Sequence, residues 1–200
     1  MPDSNCPQLR ERLRLARRVP IFIAAILFLL APTAALAAKA DDNIIANPDL
    51  TKGKGALPEG WTSEGWIASP DASTYNWTHG SGGGQLDISS TKGNDARWIQ
   101  NLHVGPGWYY FTADIRSDNV GDNNTGASIG LMEDGIISQQ LHGTRDWTKV
   151  GFYLKAGEHG ADIVLDCRLG GFASLNTGNM SCRNFKGVKV DTPPDNDTPR

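Results

Sequence analysis

Beyond residue 40 the chain alternates apolar and polar residues with a period of two, and turn-forming residues interrupt it every few positions. Tyr109, Phe111, Ala113 and Ile115 fall on one side of such a run, with Tyr110, Thr112, Asp114 and Arg116 on the other. Val150, Phe152 and Leu154 alternate with Gly151, Tyr153 and Lys155. Ile163, Leu165, Cys167 and Leu169 alternate with Val164, Asp166 and Arg168. Successive strand side chains point to opposite faces, so this period gives each sheet one buried face and one solvated face. A helix would need a period of 3.6 sustained over roughly ten residues, and no such stretch follows residue 40. Further strands are expected near 44–46, 61–67, 73–78, 85–89, 96–104, 127–133, 136–142 and 180–190. Many short strands at this spacing predict an all-β chain: a two-sheet antiparallel β-sandwich of the jelly-roll type, over 41–190.

The first forty residues read as an address. Arg10, Arg12, Arg14, Arg17 and Arg18 form a basic start, and 19–31 is almost continuously apolar. Ala35-Leu36-Ala37 and Ala38-Lys39-Ala40 then place small residues where a signal peptidase cuts. A cleaved export signal is the favoured reading. The alternative is an uncleaved anchor, although the apolar run falls short of the ~20 residues a membrane span needs. The expected location is the periplasm or the outside of the cell, with the inner membrane reached only if the segment stays on. Six of the 19 Lys/Arg and two of the 22 Asp/Glu lie in this segment, so the remainder keeps 13 against 20 and a net charge near −7. Such a balance argues against nucleic acid as a partner, because binding it needs dense cationic contact. The tail 191–200 is polar and proline-rich and is expected to be disordered.

Cys6 belongs to the address, leaving Cys167 and Cys182 for the exported part. Two cysteines in an exported domain favour a disulfide between them. Two separate buried thiols are the alternative, since cysteine is a common core residue.

No catalytic motif stands out: no nucleophile elbow, no phosphate loop and no paired-histidine zinc helix. His79, His103, His142 and His159 are scattered, and Glu133-Asp134 before Gly135 reads as a hairpin turn. The expectation is a protein that is not an enzyme and carries no cofactor, with a secreted glycoside hydrolase, which needs two carboxylates facing across a cleft, as the distant third reading. The tryptophans are more informative. A sugar ring offers flat C–H faces, so exposed aromatic platforms with polar neighbours make a carbohydrate site. Trp61, Trp98 and Trp147 sit where they would seal the sandwich, whereas Trp66, Trp77 and Trp108 are the better candidates for exposure. Tyr75-Asn76-Trp77-Thr78-His79 mixes aromatic and hydrogen-bonding groups in one strand. The expected ligand site is therefore Trp66, Tyr75 and Trp77 stacking on rings, with Asp114 and Arg116 hydrogen-bonding. Tyr110, Tyr153, Asp166 and Arg168 complete the outward polar set, and Gly80-Ser81-Gly82-Gly83-Gly84 reads as a flexible connector.

The landmarks occur in a recognisable order: Asn47-Pro48-Asp49-Leu50, Pro58-Glu59-Gly60-Trp61, Gln100 and Leu102 leading into Gly105-Pro106-Gly107-Trp108-Tyr109-Tyr110, and Arg145-Asp146-Trp147-Thr148-Lys149-Val150. This order resembles the galactose-binding-like jelly rolls that serve as carbohydrate-binding modules in xylanases and cellulases. The stretch 94–190 also resembles terminal domains of some bacterial membrane glycosyltransferases. The resemblance implies an opening Asn-Pro-Asp strand and a poly- or oligosaccharide as ligand, with an envelope protein as an alternative partner. It also implies a structural calcium held by acidic residues of the last strand. Here Arg183 and Asn184 stand at those positions, and a cation beside Arg183 is electrostatically disfavoured, so no metal is expected.

Overall fold

The structure is a computed structural model that describes residues 42–193, apart from positions 68, 70 and 133. The expected signal segment, and the tail beyond 193, lie outside the described residues. Eleven strands are described: β1 (Gly53–Lys54), β2 (Leu57–Pro58), β3 (Thr62–Gly65), β4 (Ser73–Gly80), β5 (Gly83–Asn94), β6 (Ala96–Val104), β7 (Gly107–Val120), β8 (Ala127–Leu131), β9 (Gly143–Ala156), β10 (Ala161–Leu169) and β11 (Asn176–Val190). Apart from the short β1–β2 ribbon they form two sheets, one ordered β3-β6-β10-β8 and the other β4-β5-β11-β7-β9. All pairings are antiparallel.

From β5 onward every connection crosses from one sheet to the other. That wrapping makes a jelly roll, and it explains the sequence pattern. Each strand needs apolar residues on one face only, because that face alone meets the opposite sheet. Phe111, Ala113 and Ile115 on β7, Val150, Phe152 and Leu154 on β9, and Ile163 and Leu165 on β10 are all buried between the sheets. Cys167 on β10 and Cys182 on β11 are fully buried and joined, with Cα atoms 6.7 Å apart. Because β10 and β11 belong to different sheets, the disulfide fastens the two layers of the sandwich.

Residues 44–46, expected as a strand, form none, Ile44 N alone bonding to Gly187 O (2.9 Å), and three further segments differ from expectation. The Asn-Pro-Asp landmark is a turn and not an opening strand. The Asn47 side-chain amide donates to the carbonyls of Lys52 (2.8 Å) and Glu59 (3.2 Å), and its oxygen accepts from Lys52 N (3.0 Å). These bonds satisfy backbone groups that a ladder would otherwise take. Leu50 sits there at φ 56°, an unusual conformation for leucine, held by complete burial of its side chain. Second, the glycine run is a tight β4–β5 hairpin, with Gly80 paired to Gly83, and not a loose connector. Gly84 N donates to Asp49 O (2.8 Å), and a Cβ at Gly84 would lie 2.4 Å from Leu50 O, so the run is glycine-rich to let two backbones meet. Third, 136–142 makes only isolated bridges at Ile137 and Leu141 as it folds back along β8.

Candidate functional site

The outer face of the five-stranded sheet gathers the aromatic and charged side chains that the core excludes. On β7 the outward residues include Trp108, Tyr110, Thr112, Asp114 and Arg116, because their neighbours Tyr109, Phe111, Ala113 and Ile115 take the core face. The register sets Trp108 opposite Lys155, Tyr110 opposite Tyr153, Thr112 opposite Gly151 and Asp114 opposite Lys149 on β9. Trp147 shares the outward parity of Lys149 and Tyr153. At one end of this face the Tyr110 and Tyr153 rings stack with centroids 4.3 Å apart, and the Lys155 ammonium lies 5.5 Å from the centre of Trp108. All three rings are partly exposed. A Cβ at Gly151 would stand 2.6 Å from Phe111 O and 3.0 Å from Tyr110 Oη, so only glycine leaves the middle of the face this low.

Beyond that gap lies a charged end. The Arg183 guanidinium stands 3.8 Å from the centre of the Trp147 ring and that of Arg116 stands 5.1 Å from it. Asp114 accepts from Asn184 Nδ2 (2.7 Å) and lies 3.8 Å from Lys149 Nζ. Asn184 has φ 54° at a bulge in β11, which re-aims its side chain toward Asp114. A groove of ≈ 500 Å³ opens here, lined by Arg116, Asp118, Thr144, Arg145, Asn179 and Ser181 among others. A smaller one of ≈ 340 Å³ runs beside Gln85, Arg183 and the glycine hairpin. From Trp108 to Arg116 the strand extends about 26 Å, enough for several sugar rings. Among the described residues no group of three or more His, Cys, Asp or Glu is gathered that could hold a metal ion.

The structure divides the expected site residues. Asp114 and Arg116 stand on this face as anticipated. Tyr75 and Trp77 point the other way, into the sandwich. Trp77 is only 7% exposed and its indole donates to Leu50 O (2.9 Å), while the Tyr75 hydroxyl donates to Glu64 O (2.5 Å). Burial pushes the Tyr75 hydroxyl up to about 12. Neither is a platform for a sugar ring. The cause is visible in β4 itself, where Thr74, Asn76 and Thr78 take the wet parity and leave the aromatics the dry one. Trp66 is 58% exposed but follows β3 at the edge of the other sheet, where it meets Phe172, itself 64% exposed, edge-on at 4.6 Å. Trp147, expected to seal the sandwich, lies on the outer face instead. Carrying the Val150, Phe152, Leu154 alternation back three residues would have put it there.

Asp166 and Arg168 also depart from expectation, being neither on this face nor wet. They point outward from the four-stranded sheet and are buried there. The chain returning after β8 bonds along its edge, Leu131 N donating to Ile136 O and Ser138 N to Ile129 O, and comes close to Asp166 at Gly130, where a Cβ would stand 2.7 Å from Ile136 O and 3.3 Å from Asp166 Oδ1. Asp95 bridges two guanidinium groups, Arg97 at 2.6 Å and Arg168 at 2.9 Å, and Asp166 lies 3.3 Å from Arg168. Burial lifts the Asp166 carboxyl to about 6 despite that cation.

No family model matches this chain, and no curated protein matches it in sequence. Among solved structures it is similar to the enzymatically active domain of tailspike protein 4 of bacteriophage CBA120, with 12% identity and a TM-score of 0.49 over 74% of this chain and 22% of that one. It is also similar to the BiXyn10A CBM1 module, with 16% identity and a TM-score of 0.49 over 75% of this chain and 100% of that one. A third similarity is to TmCBM61 in complex with β-1,4-galactotriose, with 10% identity and a TM-score of 0.44 over 74% and 99%. The chain thus spans about a fifth of the tailspike's length, 22%. Overlaps this slight leave function to be argued from the chain's own residues.

Proposed function

We propose that this chain is an exported, non-catalytic carbohydrate-binding module whose glycan lies along β7 and β9, on the outer face of the five-stranded sheet. The observation that carries the reading is the line of partly exposed rings on that face, Trp108, Tyr110 with Tyr153, and Trp147. Aromatic faces pack against the C–H faces of pyranose rings, and the hydroxyl, amide and carboxylate groups between them can fix sugar hydroxyls. Tyr110 and Tyr153 are already stacked on each other, so the platform needs little ordering when ligand arrives, which lowers the cost of binding. The cross-sheet disulfide supports export, because such bonds persist in oxidising compartments.

Calorimetric titration of the protein with plant and envelope oligosaccharides tests this. Trp108→Ala together with Tyr153→Ala should weaken binding by about tenfold, since such ring contacts are worth ~0.5–1.5 kcal/mol each. Unchanged affinity in the double variant would remove the glycan from this face.

One observation favours docking onto an envelope protein as a second reading. Trp66, Ile67 and Phe172 are exposed together near the β5–β6 turn, an apolar patch of the kind proteins use to meet proteins. Trp66→Ala with Phe172→Ala separates the two: it would abolish docking and leave glycan titrations as they were.

A further inference from the structure

We infer that the glycan this face takes is an acidic one, a polysaccharide bearing uronic acid carboxylates read by the arginines around Trp147; the inference rests on the carbohydrate-binding reading above. Four cationic side chains converge on one end of the outer face: Arg116 from β7, Arg145 and Lys149 from β9, and Arg183 from β11. Among the described residues Arg116, Arg145 and Arg183 make no ion pair. Four carboxylates, Asp87, Asp114, Asp118 and Asp146, stand close by and balance the four cations in charge, but only Asp114 comes within ion-pair distance of one of them, so the arginines keep their forks for an outside carboxylate. Asp118 accepts from Thr144 Oγ1 (3.0 Å) and Asn179 Nδ2 (3.3 Å). Asp87 accepts from Ser181 Oγ (2.6 Å) and Gln85 Nε2 (2.7 Å), and Asp146 from its neighbour Trp147 N (2.7 Å). Asp114 takes Asn184 and Lys149.

Two like charges resting on one indole are costly unless an anion joins them, although the ring itself attracts each. The Nε of Arg183 is buried and donates to nothing. A ligand carboxylate does not reach that nitrogen, but the terminal nitrogens of the same half-buried side chain offer it two parallel N–H bonds from their planar fork. Arg183 lines the groove of ≈ 340 Å³, and Arg116 with Arg145 the one of ≈ 500 Å³, so such a group has room beside each of them. The exported part is acidic as a whole, near −7, so an anionic ligand is not drawn in by net charge. At physiological salt charges are screened beyond ~8 Å, and it is the local cluster that the ligand meets.

The test is calorimetry of the protein with galacturonate oligosaccharides, with the same oligosaccharides after reduction of every carboxylate to a primary alcohol, and with dextran sulfate. Binding of the acid form about tenfold tighter than the reduced form, weakening as salt is raised, is expected. Arg145→Gln with Arg183→Gln should bring the acid-to-neutral ratio down several-fold, and Arg145→Gln alone, at an exposed position, should lower it if the double variant does not fold. Equal binding of acid and reduced forms overturns the inference and leaves the carbohydrate reading standing. Binding of neither overturns both. Dextran sulfate bound as tightly as galacturonate overturns the carboxylate in favour of an unselective cationic patch.

Discussion

Gly84 and Asp166 show how single positions act on this fold in opposite ways, one supporting it by having no side chain and one costing it stability once its buried carboxyl is charged. Alanine at Gly84 would drive a Cβ into Leu50 O, a backbone atom fixed by the turn that precedes β1. Gly84→Ala is expected to cost about 1–3 kcal/mol in a urea titration, as overpacking does, while Gly80→Ala, which meets nothing within 4 Å, should stay within ~0.5 kcal/mol. Equal effects would mean the hairpin does not rest on residue 50. Asp166 titrates at about 6 in the folded chain and near 3.9 when unfolded. Between those values the folded state holds the extra proton, so stability falls as pH rises from ~4 to ~6 and is level beyond. The difference amounts to roughly 3 kcal/mol. Asp166→Asn should remove that decline, seen as a flatter midpoint against pH over the same window. A variant with the wild-type slope would place the titration elsewhere.

At the scale of elements, the strands and their faces were largely legible, because β7, β9 and β10 each bury one parity against the opposite sheet and the alternation records that choice. Where backbone groups are satisfied by side chains, the record fails. Asn47 reads as the opening of a strand, yet its amide closes a turn by bonding to Lys52 and Glu59. The face that carries the proposed site was legible only in part: Asp114 and Arg116 lie on it, but the β4 aromatics Tyr75 and Trp77 turn into the sandwich. Trp77 and Trp147 are the same residue type in similar polar surroundings, and only the parity of their neighbours separates them. Which strand pairs with which was not legible at all, so Arg183 could not be brought to Trp147 from sequence. The β10–β11 disulfide is the clearest element-scale device, since it ties one strand of each sheet across the core. Replacing both Cys167 and Cys182 with serine should cost ~3 kcal/mol or more, the loop-closure contribution together with the penalty of burying two hydroxyls. Denaturant titration measures it, and a loss under ~1 kcal/mol would show that packing alone joins the layers.

For the whole molecule, export and oxidation make one coupled prediction, because the three cysteines report on both. Cys167 and Cys182 are paired inside the sandwich, while Cys6 lies in the basic and apolar first forty residues, proposed as a cleaved leader. If the leader is removed after Ala37 or Ala40, the exported protein has no free thiol, even when denatured without reductant. If it remains as an anchor, one thiol appears, from Cys6. If the chain stays in a reducing compartment, three appear, since there the glutathione pool keeps cysteines reduced. Thiol titration of the denatured, unreduced protein recovered from the periplasm or medium should therefore read zero, and N-terminal sequencing should begin at Ala38 or Asp41. A reading of one, on protein recovered only with membranes, would keep the disulfide and overturn cleavage, placing the aromatic and arginine-lined face on a tether at the membrane surface. A reading of three would overturn export itself, and with it the setting in which an acidic polysaccharide could reach β7 and β9.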